Sequence, residues 1–159
     1  IRLPSFLNRF PDAKILYMAR DPLSTVPSGM SLVTGVLDGA YGFWKLPEEK
    51  RNHFLKRLYA AFLELSMRFQ QDWVNGKIDK DKVKVVTFDR LMQDFDGLMS
   101  EVVPFVGGEL TPELKSIIDT AAEKQRAYKS GHKYDLEKFG LTEEQIRADY
   151  ADFYDTFLK

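Results

Sequence analysis

Ala13-Lys14-Ile15-Leu16-Tyr17-Met18-Ala19-Arg20-Asp21-Pro22-Leu23-Ser24-Thr25-Val26-Pro27-Ser28 is the stretch on which the fold turns. Its first seven residues form an apolar run behind the breaker Pro11-Asp12, which predicts a buried β-strand over 13–19. Asp21-Pro22 then opens a helix, with Asp as N-cap and Pro as the first helical residue. An arginine at the C-terminal edge of a strand, facing a helix N-terminus with free N–H groups, marks where open α/β sheets bind anions. Arg20, Ser24 and Ser28 recur at i, i+4 and i+8, so a helical stretch sets both hydroxyls on one face near the guanidinium. That group of donors is phosphate-sized.

Outward from this stretch, residues 2–10 predict a short amphipathic helix carrying Leu3, Phe6, Leu7 and Phe10. The helix after Asp21 is expected to reach about Leu37, with Val26, Met30, Val33 and Leu37 towards the core and a kink or tight turn at Pro27. Asp38 to Trp44 is glycine-punctuated and predicts a loop. From Pro47 to about Asn75 runs a long helix whose stripe is Leu55, Leu58, Tyr59, Phe62, Leu65, Phe69 and Trp73, with Gly76 as its C-cap. Val83 to Phe88 predicts a second strand. Helices over 89–94, 96–106 and 111–128 follow, Asp89 capping the first of them. An irregular basic segment covers 129–139, and Thr142-Glu143-Glu144-Gln145 opens a terminal helix with a capping box. Two apolar strands joined by a long crossover fit a parallel sheet. Two strands alone leave a sheet with uncovered edges, which points to further strands upstream and to a chain that is the C-terminal part of a larger domain.

Composition bounds the function. With 44% hydrophobic and 13% aromatic residues in 159, the chain suits a single globular domain. Its 23 basic and 24 acidic residues nearly cancel, which gives no support for a nucleic-acid coat or a polybasic membrane anchor. The lack of cysteine excludes disulfides and thiolate metal sites, and two histidines seventy-nine positions apart give no metal-ligand spacing. No apolar run approaches the roughly 20 residues of a membrane span. No Asn stands in a glycosylation sequon. A cytoplasmic location is the expectation.

Several segments resemble one family in order. Phe10-Pro11-Asp12-Ala13-Lys14 through Arg20-Asp21-Pro22 is similar to the "FPDAKfiyxxRDP" stretch of sulfotransferases that use 3′-phosphoadenosine 5′-phosphosulfate (PAPS). Phe88-Asp89-Arg90-Leu91 resembles that family's "YEDL", and Phe105-Val106-Gly107 its "FLG". His132 to Thr142 resembles the "HKYxLExFGLT" tail of the bacterial-type branch.

The resemblance implies a three-layer α/β fold of the P-loop-kinase type, of which this chain is the helix-rich C-terminal portion. It implies that Arg20 and Ser28 bind the 3′-phosphate of PAPS or of its product PAP, with Ser24 nearby. It further implies a basic loop, here Lys129, Gly131 and Lys133, closing over the donor. The acceptor would be a small molecule, a glycan or a lipid bearing a hydroxyl or amine. The family's phosphate-binding loop has no counterpart in these 159 residues, and its acceptor-activating base lies before the Arg20 position. No catalytic residue is therefore assigned.

Each motif also has a plainer reading. Arg20 and Asp21 are also read as a surface ion pair, Ser24 as a polar first-turn residue, and Lys129 to Lys133 as a solvated loop. His53 and His132 read better as surface or packing residues than as bases. Tyr41, Phe43 and Trp44 line an acceptor pocket or plug two helices. A nucleotide-kinase-like phosphotransferase and a non-catalytic helical interaction module remain the rival functions.

Overall fold

A computed structural model describes residues 3–127 and 135–159. In chain order the elements are α1 (Leu3–Arg9), β1 (Ile15–Ala19), α2 (Pro22–Tyr41), a 3₁₀ turn (Phe43–Lys45), α3 (Glu48–Val74), β2 (Val83–Thr87), α4 (Phe88–Gln93), α5 (Phe95–Phe105), α6 (Pro112–Ala127), a second 3₁₀ turn (Glu137–Phe139), α7 (Glu143–Asp149) and α8 (Ala151–Phe157). The described residues are mostly helical, with one small parallel sheet. Its described residues fall into two compact units, one of 3–19 and 77–127, the other of 20–76 and 135–159.

The first unit holds the sheet. β1 and β2 pair in parallel with Ile15 opposite Val83 and Ala19 opposite Thr87, as the two apolar runs predict. Lys14 anchors the entry to β1, its Nζ donating to the Asp81 carbonyl at 2.7 Å and lying 5.1 Å from the Phe105 ring. Leu16 and Met18, alternate residues of β1, stay 43% and 42% exposed, so this strand is only half covered.

Val86, Leu98 and Val102 form the core on the β2 side, with Leu91 and Met99 against them. Thr87, not Asp89, caps α4: its hydroxyl accepts from the Arg90 N–H at 3.2 Å, because the strand ends one residue earlier than its apolar pattern suggests. Arg90 then reaches Glu101 of α5, which also receives Lys84 of β2 at 2.9 Å. The Arg90 guanidinium, and after it the Lys84 ammonium, hold the Glu101 carboxyl down at about 2.

The second unit is helical. α2 runs four residues beyond Leu37, through the expected loop, before Gly42 closes it with φ 63° and an N–H to the Asp38 carbonyl at 2.8 Å. Pro27 lies inside α2, fully buried beside Val26 and Met30. Thr34 is buried too, because its hydroxyl returns to the Met30 carbonyl at 2.7 Å and needs no other partner.

Along α3 the expected stripe holds at Leu55, Tyr59 and Phe69 but fails at Leu65, which is 60% exposed. Gln70 takes a buried place there instead, its amide donating to the Thr156 hydroxyl at 3.0 Å. Asn75 rather than Gly76 is the C-cap of α3; Gly76 follows it with φ 69°. The terminal helix is two helices, α7 and α8, meeting at buried Tyr150. Phe69, Trp73, Phe153 and Phe157 pack ring against ring where α3 meets α8.

Candidate functional site

The start of α2 carries the anion-site expectation, and the backbone there is settled. Asp21 is the N-cap, its Oδ1 accepting from the Leu23 N–H at 2.9 Å, and Pro22 is the first helical residue. Both Ser24 and Thr25 donate their N–H groups to the Asp21 carbonyl, at 2.9 and 3.0 Å. Pro22 has no N–H. The first turn therefore presents no unused backbone donor, and a carboxylate already occupies its end. The free N–H groups expected there are absent from Pro22 to Thr25.

Tyr154 of α8 completes the cap by donating its hydroxyl to Asp21 Oδ1. Burial, and then that hydrogen bond to a carboxylate, push the Tyr154 phenol well above its ordinary range, so it remains a donor. Arg147 lies 5.9 Å from the Tyr154 ring and pairs with Glu143 at 2.7 Å. No local pattern pointed to Tyr154, which stands 133 residues from Asp21.

What remains for an anion is side-chain chemistry. Ser24 and Ser28 lie one turn apart on the same face of α2, and both are half-buried. Helical periodicity does not extend to Arg20, because the helix begins at Pro22 and Asp21 has ψ 120°. Arg20 is half-buried in the segment between β1 and that first turn, and both Arg20 and Ser28 are already engaged with other groups. The Ser24 hydroxyl makes no hydrogen bond with any described residue. Lys129, Gly131, His132 and Lys133 lie outside the described residues.

At the other end of α2 the aromatic loop divides. Phe43 is a plug, 3% exposed, with its ring edge-on to Phe54 at 5.3 Å and to Trp44 at 5.0 Å. Trp44 packs near Phe139, with the Lys138 ammonium 4.5 Å from its ring. Tyr41 instead lines a cleft and is 80% exposed. His53 is exposed on α3, beside the same cleft.

The model of the sulfotransferase family matches residues 2–112, well over half of the chain. The chain belongs to the sulfotransferase family, whose members are transferases that carry sulfuryl groups, generally from PAPS. The match ends before the tail segment 132–142. No curated protein and no solved structure matches the chain significantly. Among the described residues, no helix is long and apolar enough to cross a membrane.

Proposed function

We propose that the protein transfers a sulfuryl group from PAPS to a hydroxyl or amine, and that this chain reads the 3′-phosphate of the donor through Arg20, Ser28 and Ser24. The observation that carries the reading is the Ser24–Ser28 face of α2, with a Ser24 hydroxyl that no described residue engages, directly after half-buried Arg20 in a sulfotransferase sequence. These residues fit a phosphate. A guanidinium keeps its charge at every working pH and suits bidentate contact with phosphate oxygens, and hydroxyls add neutral donors.

Because Asp21 and the helix itself use the first-turn N–H groups, selectivity for the 3′-phosphate falls on the side chains rather than on the helix end. Asp21 keeps its carboxylate directed at Leu23 and Tyr154, which locks the turn that carries Ser24. When bound, PAPS supplies the activated sulfuryl group; the residues of this chain bind and orient it.

The chain is the C-terminal part of a larger sulfotransferase domain in this reading. Among the described residues the sheet has two strands, so each keeps an unpaired edge, and that open edge supports further strands, which would bring the phosphate-binding loop that the 159 residues lack. Thermal unfolding in the presence of nucleotides tests the proposal, since a ligand stabilises the state it binds. Adenosine 3′,5′-bisphosphate is expected to raise the midpoint without metal, and ATP with magnesium is not. The reverse preference would make the protein kinase-like, and no shift with either would leave a non-catalytic module.

A further inference from the structure

Within the second unit, a cleft of about 730 Å³ opens where the end of α2 and the 3₁₀ turn meet the start of α3. That volume lies in the range of small-molecule sites, roughly 300–1,000 Å³. Its floor is apolar, made by Leu37, Tyr41, Phe43 and Phe54. The floor is also preformed. Phe43 is locked between Trp44 and Phe54, and Asp38 pins the turn by accepting from the Gly42 N–H at 2.8 Å and from the Trp44 N–H at 3.0 Å.

Its rim is of one sign. Lys50, His53 and Arg57 line the cleft from α3, at offsets of three and four residues that place them on a single helical face. Among the described residues, no acidic side chain lines it. All three basic residues are exposed, and none forms an ion pair or hydrogen bond with a described residue. Their neighbours on α3 behave differently: Arg51 is tied to the Trp44 and Leu46 carbonyls, and Arg68 is paired with Glu64. Lys50 and Arg57 bear the same charge, and an anion between them offsets their repulsion.

We propose that this cleft binds an amphipathic anion, a small molecule whose alkyl or aryl body lies on Tyr41, Phe43 and Phe54 and whose single anionic head meets Lys50, His53 and Arg57. The claim does not rest on the transferase reading, because binding here needs no nucleotide. Loss of one leaves the other standing.

The test uses the protein without nucleotide, with anilinonaphthalenesulfonate as a fluorescent probe and decanoate or decanol as competitors. Decanoate is expected to displace the dye about tenfold more effectively than decanol, the scale of one exposed charge-assisted contact. The Lys50→Ala/Arg57→Ala variant should lose that advantage and keep decanol displacement unchanged. Both side chains are exposed and pair with no described residue, so the fold should survive, as helical circular dichroism would verify. Arg68→Ala, which removes a paired charge from the same helix, should leave decanoate displacement as it was. Equal displacement by acid and alcohol, or undiminished decanoate binding by the double variant, overturns the proposal. Dimerisation in sedimentation that abolishes dye binding would assign the cleft to a second copy and overturn it equally.

Discussion

Replacing Tyr154 by Phe removes one oxygen and separates the two tasks of Asp21. Its Oδ1 accepts both the Leu23 N–H, at 2.9 Å, and the Tyr154 hydroxyl. An N-cap of this kind contributes about 1 kcal/mol. The phenol–carboxylate bond is charge-assisted, but its partners are only half-buried, which places it near the low end of its class, about 1.5 kcal/mol. Tyr154→Phe should therefore lower the unfolding free energy by about 1.5 kcal/mol. Asp21→Ala loses both contacts and should cost about 2.5 kcal/mol.

The double variant should also cost about 2.5 kcal/mol, since the bond is already gone, leaving a coupling of about 1.5 kcal/mol in the cycle. Urea unfolding followed by circular dichroism measures all four proteins, and the slope with denaturant should not change. Additive single effects, with coupling below about 0.3 kcal/mol, would show that Tyr154 does not hold this cap.

Other predictions concern charge and shape. Because its folded-state value is lowered from 4.5 to about 2 by Arg90 and then Lys84, Glu101 stabilises the fold fully above the upper value and loses that contribution as pH falls towards the lower one. Glu101→Gln should flatten this part of the acid-unfolding curve; an unchanged curve would mean the pairing is not maintained in solution. Gly35 lies mid-helix with nothing within 4 Å of an added Cβ, so Gly35→Ala should stabilise by about 0.5–1 kcal/mol. At Gly29 an added Cβ would meet the Phe62 ring at 2.8 Å, and Gly29→Val should destabilise by about 2 kcal/mol; equal effects of the two substitutions in urea unfolding would contradict the α2–α3 packing.

Local chemistry made the strands and the caps at Asp21 and Thr142 legible, though not those of α4 and of the end of α3. The Ile15–Ala19 and Val83–Thr87 runs are dense in apolar residues, and their parallel pairing followed from the length of chain between them. Thr142 caps α7 as its capping box promised, with its hydroxyl accepting from the Gln145 N–H at 3.1 Å. The misses have tertiary causes. Leu65 belongs by period to the buried stripe, but what decides burial is whether a neighbour covers that turn of α3, and there Gln70 gains Thr156 instead.

At the site, the Arg20, Ser24 and Ser28 spacing looked like one helical face. The N-cap geometry of Asp21 breaks that period before Arg20. The same cap spends the N–H groups that a helix start advertises, and it draws on Tyr154, which no sequence window around residue 21 contains. The basic face of Lys50, His53 and Arg57 was not read from the sequence, where His53 alone stood out as a surface residue; the cleft beside it is what makes it more than a solvated helix surface.

Calorimetric titration of the protein and its Arg20→Ala variant with adenosine 3′,5′-bisphosphate, and with 5′-AMP as the ligand lacking the 3′-phosphate, addresses the donor-reading role of Arg20 most directly. A lost charge-assisted contact of about 1.5–3 kcal/mol predicts bisphosphate affinity weakened by roughly one to two powers of ten, with 5′-AMP affinity unchanged. Equal bisphosphate affinity in the two proteins would contradict the account and remove Arg20 from the donor site.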